Sequence, residues 1–250
     1  MSQTPVEKWT RWKGRGWRAF RFLAARTFAA FWAGIGIVHI IIVLVALAAG
    51  LAYSYVNPPI TSLMIERPFE YHIKIHPVRY LPLAKIPVEV QRMLVVVENN
   101  TFYTNPGIDI AAIEHAWRVD RRLGYWALGG STITQQLVRS LLLTTTKSFA
   151  RKYVEAIMSV TLNLVMSKQR QLELYFNYIE WGKGIFGIQA AAYAQYDKPL
   201  SQLTTDQIIR LLVILPNPWV FNVHNYVHYG ELLDRYHLLW SVADAWAAAQ

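Results

Sequence analysis

From Thr27 to Val56 the chain carries no Asp, Glu, Lys or Arg, and no other feature limits its fold as strongly. The run through Phe28, Ile35, Ile37, Ile40, Ile41, Ile42, Val43, Leu44, Val45 and Leu51 is long enough to cross a bilayer as one helix. A core helix of this length would carry a polar stripe, whereas here His39 and a few small or interfacial residues are all that break the run. Residues 27–56 are therefore expected to form a transmembrane helix. His39 is given no functional role, because one histidine facing a helix partner or a lipid defect accounts for it. Ala48, Ala49 and Gly50 make no convincing cleavage site, so the helix is expected to stay as a signal anchor.

The segment before it holds Lys8, Arg11, Lys13, Arg15, Arg18, Arg21 and Arg26 against Glu7 alone. By the positive-inside rule residues 1–26 are a cytoplasmic basic tail, which places the rest of the chain outside. Trp9, Trp12 and Trp17 interleave with these cations, as suits a segment lying among anionic headgroups. The tail supplies most of the chain's net charge of +9, so basicity gives no support to nucleic acid as a partner. With no cysteine, disulfides, thiolate metal sites and thiol nucleophiles are excluded.

Asn57-Pro58-Pro59 ends the apolar helix, since consecutive prolines cannot continue it. Ile60 to Tyr80 shows no helical period and reads as extended structure or loop, within a connector over 57–87. The remaining 88–250 is expected to be one mainly α domain, without repeats or low-complexity stretches. One helix runs from Val88 to about Asn99 with Val90, Met93, Leu94 and Val97 on a face and Glu98 in its last turn. A second covers Ile108 to Val119. After Gly129-Gly130, Thr132 and Gln135 fit a capping box that opens a helix burying Ile133, Leu137 and Leu141. Another, from about Ser148 to Val165, is expected to bury Phe149, Tyr153, Ile157, Val160 and Leu164, and to align Lys147, Arg151 and Glu155 on a different face. Taken singly, Arg151 with Glu155 reads as a surface ion pair, and Gln135 and Gln136 as solvated helix residues.

Together these motifs resemble the peptidoglycan glycosyltransferase family. Its lysozyme-like enzymes occur as the first domain of bifunctional penicillin-binding proteins and as free-standing monofunctional transglycosylases. Gly129-Gly130-Ser131-Thr132-Ile133-Thr134-Gln135-Gln136-Leu137 looks like the family's second motif almost letter for letter. Arg151-Lys152 with Glu155 resembles the third. Asn177 to Gly182, followed by Gly184, Gly187 and Ala190-Ala191-Ala192, is similar to the fourth, and Leu211 to Pro218 to the fifth. The first motif departs: Glu98, Phe102 and Gly107 are present, but Asn99 stands for the usual Asp and Asn105 for the usual His. Arg139, Ser140 and Lys147 stand for a usual Lys, Asn and Arg, and Arg grips phosphate as a planar fork where Lys acts as a point charge. No Ser-x-x-Lys occurs, so a transpeptidase domain is expected to be absent and the chain resembles the monofunctional type.

The resemblance implies a lysozyme-like helical domain, preceded by one transmembrane helix, that polymerises lipid II into glycan strands. A sugar hydroxyl attacks the anomeric carbon of the donor, and undecaprenyl diphosphate departs with inversion. Glu98 is the expected general base, made more basic by the apolar run Leu94 to Val97. Ser131, Thr132, Gln135, Gln136, Arg139, Lys147, Arg151 and Lys152 are the expected substrate-binding residues around the diphosphate. Glu155, the second expected catalytic carboxylate, orients the cations, contacts the donor or helps a divalent ion; no cofactor is required, with Mg or Mn optional beside the diphosphate. A mobile apolar flap is expected between Thr101 and Ala127, and Asn177, Glu180, Gly182 and Gly187 are read as mainly structural. The expected location is the bacterial inner membrane with the catalytic domain periplasmic, and the expected partners are lipid II, the growing strand, the membrane and cell-wall synthesis proteins. Asn99 and Asn105 motivate one alternative, a degenerate lipid II-binding scaffold; the lysozyme-like fold motivates another, a glycan-cleaving muramidase.

Overall fold

The computed structural model describes residues 5–124 and 129–249. Side chains of the tail's tryptophans, and of its cations up to Arg21, lie outside the described residues, as do Tyr125, Trp126 and Ala127 of the expected flap. Helix α1 (Pro5–Tyr55) includes the apolar stretch, and Ala25–Tyr55 is long and apolar enough to cross a membrane. Its large side chains Phe28, Phe31, Trp32, Ile37, Ile40 and Leu44 are exposed, as lipid-facing residues are. The chain divides into two compact units. The first ends at Val45, and the second, from Ala46 on, contains the last turns of α1 and everything after.

The second unit is almost entirely helical: α2 (Ser62–Tyr71), α3 (Val88–Asn99), α4 (Ile110–Leu123), α5 (Ile133–Leu142), α6 (Phe149–Val165), α7 (Lys168–Tyr178), α8 (Ile188–Tyr196), α9 (Thr205–Val213) and α10 (Gly230–Ala247). Its one described sheet pairs β1 (Glu180–Gly182) with β2 (Ile185–Phe186), antiparallel, Glu180 opposite Phe186. α5 sits between α6 and α7 and also receives α2, while α10 lies across α3 and α9. The core joins Met93 and Leu94 of α3, Ile133 of α5, Leu172, Tyr175 and Phe176 of α7, and Leu211 and Leu212 of α9. Each such side chain contributes about 1.5–3 kcal/mol by leaving water. From α10, Leu232 and Leu239 are buried in this core, with Leu233, Tyr236 and Trp240 against it, so the C-terminal helix packs on its own domain.

Two expectations are corrected. Ile60–Tyr80 is not extended throughout, because α2 occupies Ser62–Tyr71, capped by Thr61, whose hydroxyl accepts from the Met64 amide. Its inward face carries Leu63, Met64 and the guanidinium of Arg67, which is buried because Glu180 meets it; an apolar periodicity cannot reveal a face that includes a paired cation. In α6 the expected apolar stripe faces outward, with Phe149, Tyr153 and Leu164 exposed and Ile157 and Val160 half-buried. The enclosed face holds Glu155, Met158, Ser159, Thr161 and Leu162, because Glu155 is drawn in with its cations and Leu162 packs under Gly50 of α1.

Candidate active site

Helix α5 is positioned by its first turn. Thr132 caps it, its hydroxyl accepting from the Gln135 amide while the Gln135 side chain accepts from the Thr132 amide, both at 3.1 Å. The Thr132 hydroxyl also donates to the Gly107 carbonyl at 2.7 Å, which ties the first-motif loop to this helix end. Gly107 has φ +103°, and a Cβ there would fall 2.5 Å from the Ser159 carbonyl oxygen, so only glycine fits beneath α6. Both Thr132 and Gln135 are enclosed, and the Thr132 hydroxyl and the Gln135 side-chain oxygen are engaged in shaping this end of the helix.

Glu98, in the last turn of α3, borders a hollow of about 200 Å³ with Asn99, Asp109 and Gly129 to Thr132. One carboxylate oxygen accepts from the Gln136 amide at 2.8 Å, and Gln136 in turn accepts from the Tyr175 hydroxyl at 2.8 Å. Burial, then the Glu98 charge, holds Tyr175 well above the usual phenol range, so it stays a donor. The other oxygen accepts from Arg235 of α10 at 2.5 Å, and Arg235 also donates to the carbonyls of Val97 and Leu212. The immediate surroundings of the carboxylate are thus an amide and a guanidinium, while Leu94 and Val95 before it turn into the core.

Glu155 is fully buried and accepts from Arg151 and from Lys152, the latter at 2.5 Å. Lys152 also donates to the Ser131 hydroxyl at 2.7 Å, and Ser131 lines the Glu98 hollow. Burial pushes the Lys152 ammonium below the usual lysine range, and Glu155 opposes that shift. Arg151 is further fixed by donating to the Thr146 carbonyl at 2.7 Å.

Beyond Gln136 lies a larger cleft of about 580 Å³, walled on one side by Arg139, Lys147 and Arg151 and on the other by Tyr71 and Leu215 to Val220. Ser131 and Gln136 connect the two spaces. Ser131 reaches from the Glu98 hollow to the cation cluster, and Gln136 bonds Glu98 while lining the cleft. Of the expected residues, Glu98, Ser131, Gln136, Arg139, Lys147, Arg151, Lys152 and Glu155 are brought into this connected region.

Two residues missing from the sequence reading stand here as well. Arg67 donates twice to Glu180, at 2.7 and 2.9 Å, and once to Thr145, beneath the rings of Trp219 and Tyr71. Arg235 holds Glu98. Neither lies in a stretch that sequence spacing singles out, since their partners are 113 and 137 residues away. Asn177 bonds Leu81 through both amide atoms, and a Cβ on Gly187 would meet the Asn177 carbonyl at 2.7 Å. Among the described residues no group of three or more acidic or histidine side chains stands together to hold a divalent ion, and each oxygen of Glu155 is engaged by a cation.

A helical domain that follows an apolar helix compatible with a membrane anchor, and that sets a carboxylate beside a cation-walled cleft, is suited to an anionic substrate. Residues 71–241 match the transglycosylase family. A biosynthetic peptidoglycan transglycosylase of Burkholderia orbicola is 39% identical over 176 residues, 69% of this chain and 72% of the relative, and that of Burkholderia vietnamiensis has the same values. The Burkholderia cenocepacia protein of the same name is 42% identical over 146 residues, 58% of this chain and 60% of the relative. The chain belongs to the transglycosylase family, and these likenesses give no support to a catalytically degenerate scaffold.

Proposed function

We propose that this enzyme, a peptidoglycan glycosyltransferase, polymerises lipid II with Glu98 as general base and the Arg139, Lys147, Arg151 and Lys152 cluster as the grip on the departing diphosphate. The acceptor sugar hydroxyl gives its proton to Glu98 as its oxygen attacks the anomeric carbon of the donor. The bond to the diphosphate breaks with inversion, and the electron pair goes to the diphosphate oxygen, where the cations meet the charge. Each Glu98 oxygen has two acceptor positions, so bonds to Gln136 and Arg235 leave room for the proton. A glycosidase needs a second carboxyl to protonate an alkoxide leaving group, whereas a diphosphate leaves as an anion. Glu155 accordingly orients Arg151 and Lys152, and no step is assigned to a metal ion.

The observation that carries this reading is the link from Glu98 through Gln136 and Ser131 to the cations. The apolar α1 is compatible with a single-pass anchor. The basic tail supports a cytoplasmic N-terminus and a catalytic unit on the outer face of the inner membrane. Exposed Ile110, Ile113 and Trp117 on α4 support the role of that helix as a lipid-facing flap. The test is glycan-strand synthesis by the purified full chain in vesicles containing lipid II. Glu98→Gln is expected to lose about 10²–10⁴ of the rate. Folded wild type that makes no polymer, or a Glu98→Gln variant within threefold of it, overturns the assignment. Release of soluble fragments from purified cell wall would instead support a muramidase.

A further inference from the structure

The first-motif loop is held by two buried amides, Asn99 and Asn105, whose bonds form one chain. Asn105 donates through Nδ2 to the Asn99 side-chain oxygen at 2.9 Å and accepts through Oδ1 from the Gly107 amide at 2.9 Å. Asn99 donates to the Thr101 hydroxyl at 2.9 Å, and Thr101 donates to Asp109 at 2.6 Å. Gly107 passes the connection to Thr132 at the start of α5. The chain therefore runs from the residue next to Glu98 to the helix end that presents Ser131 and Gln136, and its two central members carry no ionisable group.

We propose that Asn99 and Asn105 are positioning residues that fix Glu98 relative to the start of α5, and that, as neutral amides, they remove from this linkage any protonation step near neutral pH. The inference rests on Glu98 being the base. Charged groups surround the pair on several sides. Lys168 of α7 donates to the Asn105 carbonyl at 2.9 Å, comes within 3.5 Å of its side-chain oxygen and lies over the Phe102 ring; Asp109 stands before α4; Glu98 with Arg235 closes the α3 side; α6 brings the Ser159 carbonyl and the uncharged Asn163 side chain to Gly107. Burial brings Lys168 down to about 8, so it is a cation below that pH.

A neutral histidine, with one donor and one acceptor, can replace the bonds of Asn105 to Asn99 and Gly107 while giving up its second donor bond, to the Thr101 carbonyl at 3.1 Å; when protonated it becomes a double donor and leaves the Gly107 amide without an acceptor. Asn105→His is therefore expected to work within about threefold of wild type at pH 7.5. Relative to wild type, it should then lose roughly tenfold or more by pH 5.0, with a midpoint at or below about 6.5 because the Lys168 ammonium opposes a second cation. Adding Asn99→Asp places a carboxylate against the imidazole and should move that acid limb to higher pH. Asn99→Ala, read at one pH, should lower kcat by about tenfold with KM within twofold.

Glycan synthesis from pH 5.0 to 8.0, with melting curves recorded at each pH, reads all three variants. A folded Asn105→His variant whose profile runs parallel to wild type, or an Asn99→Ala variant with at least half the wild-type kcat, overturns the proposal. Should Asn105→His fail to fold, the Asn99→Ala split between kcat and KM decides. If Glu98→Gln keeps wild-type activity, the base assignment fails instead, and the two failures are told apart.

Discussion

Replacing Glu155 by Gln tests whether the cation cluster is held together from beneath. The carboxylate is fully buried, between an Arg151 side chain that is 16% exposed and a Lys152 side chain that is 40% exposed. Removing one partner of a fully buried pair costs about 3–5 kcal/mol. Lys152 is partly solvated, and the glutamine oxygen still accepts from one of the two cations, so the expected loss is about 2–3 kcal/mol. For a unit of this size that corresponds to a fall in Tm of about 4–12 °C. The loss also has a sign in pH. Burial already holds Lys152 below its usual range, and Glu155 opposes that shift, so the variant should drop it further. A lysine whose folded pKa lies below its unfolded one binds fewer protons when folded, and stability rises with pH across that window. The gap between wild type and Glu155→Gln should therefore be widest near pH 7 and narrow toward pH 10. Thermal unfolding of the full chain in detergent, at several pH values, measures both. A loss below about 1 kcal/mol, or a gap that does not narrow, would refute the reasoning.

Arg235→Leu takes the cation from Glu98 and leaves Gln136 as its described partner, and glycan synthesis should fall at least about tenfold while the fold is kept; unchanged kcat refutes a role for α10 in the site. Thr132→Ala removes both the cap of α5 and the bond to Gly107, and should lower stability by about 2 kcal/mol, read as a drop of about 4–8 °C in Tm. Lys168 sits at about 8 through burial, so between pH 8 and its ordinary value the folded chain binds fewer protons than the unfolded one. Wild-type stability should gain with pH there relative to Lys168→Met, and parallel curves would contradict it.

What the sequence made legible was local. The capping box of α5 needs only Thr132 and Gln135 three residues apart, and it stands where expected. The bounds of α3 follow from Pro87 before it and the apolar spacing within it, and they match at Val88 and Asn99. The misses are long-range. α2 is amphipathic only once Glu180 neutralises Arg67, and no pattern within residues 60–80 contains Glu180. The outward face of α6 was hidden for a related reason: its polar residues are the enclosed ones, and hydrophobic spacing assigns the inside to Phe149, Tyr153 and Leu164. At the site, the residue types were visible in the motifs, but the hold of Arg235 on Glu98 depends on α10 crossing α3.

The two carboxylates differ in what surrounds them, and in the proposed mechanism that difference divides the labour. Glu98 has one cation and one neutral amide as partners and borders a hollow, so it keeps unused lone pairs beside a space where a hydroxyl can enter. Glu155 has two cations and no exposure, so its charge is already neutralised and its lone pairs point at its own protein. A group in the first setting can take a proton from substrate; a group in the second can only hold other groups still. Because a diphosphate departs as an anion, the reaction needs no proton delivered on its side, and a carboxylate that fixes Arg151 and Lys152 there serves better than one that gives up a proton. Exchanging Glu155 for Asp sharpens this distinction. Its charge is kept but withdrawn by one methylene, so if position alone matters the variant should lose rate by pulling Arg151 and Lys152 away from the diphosphate. The pH optimum should stay where it was, whereas a Glu155 acting as an acid would shift it.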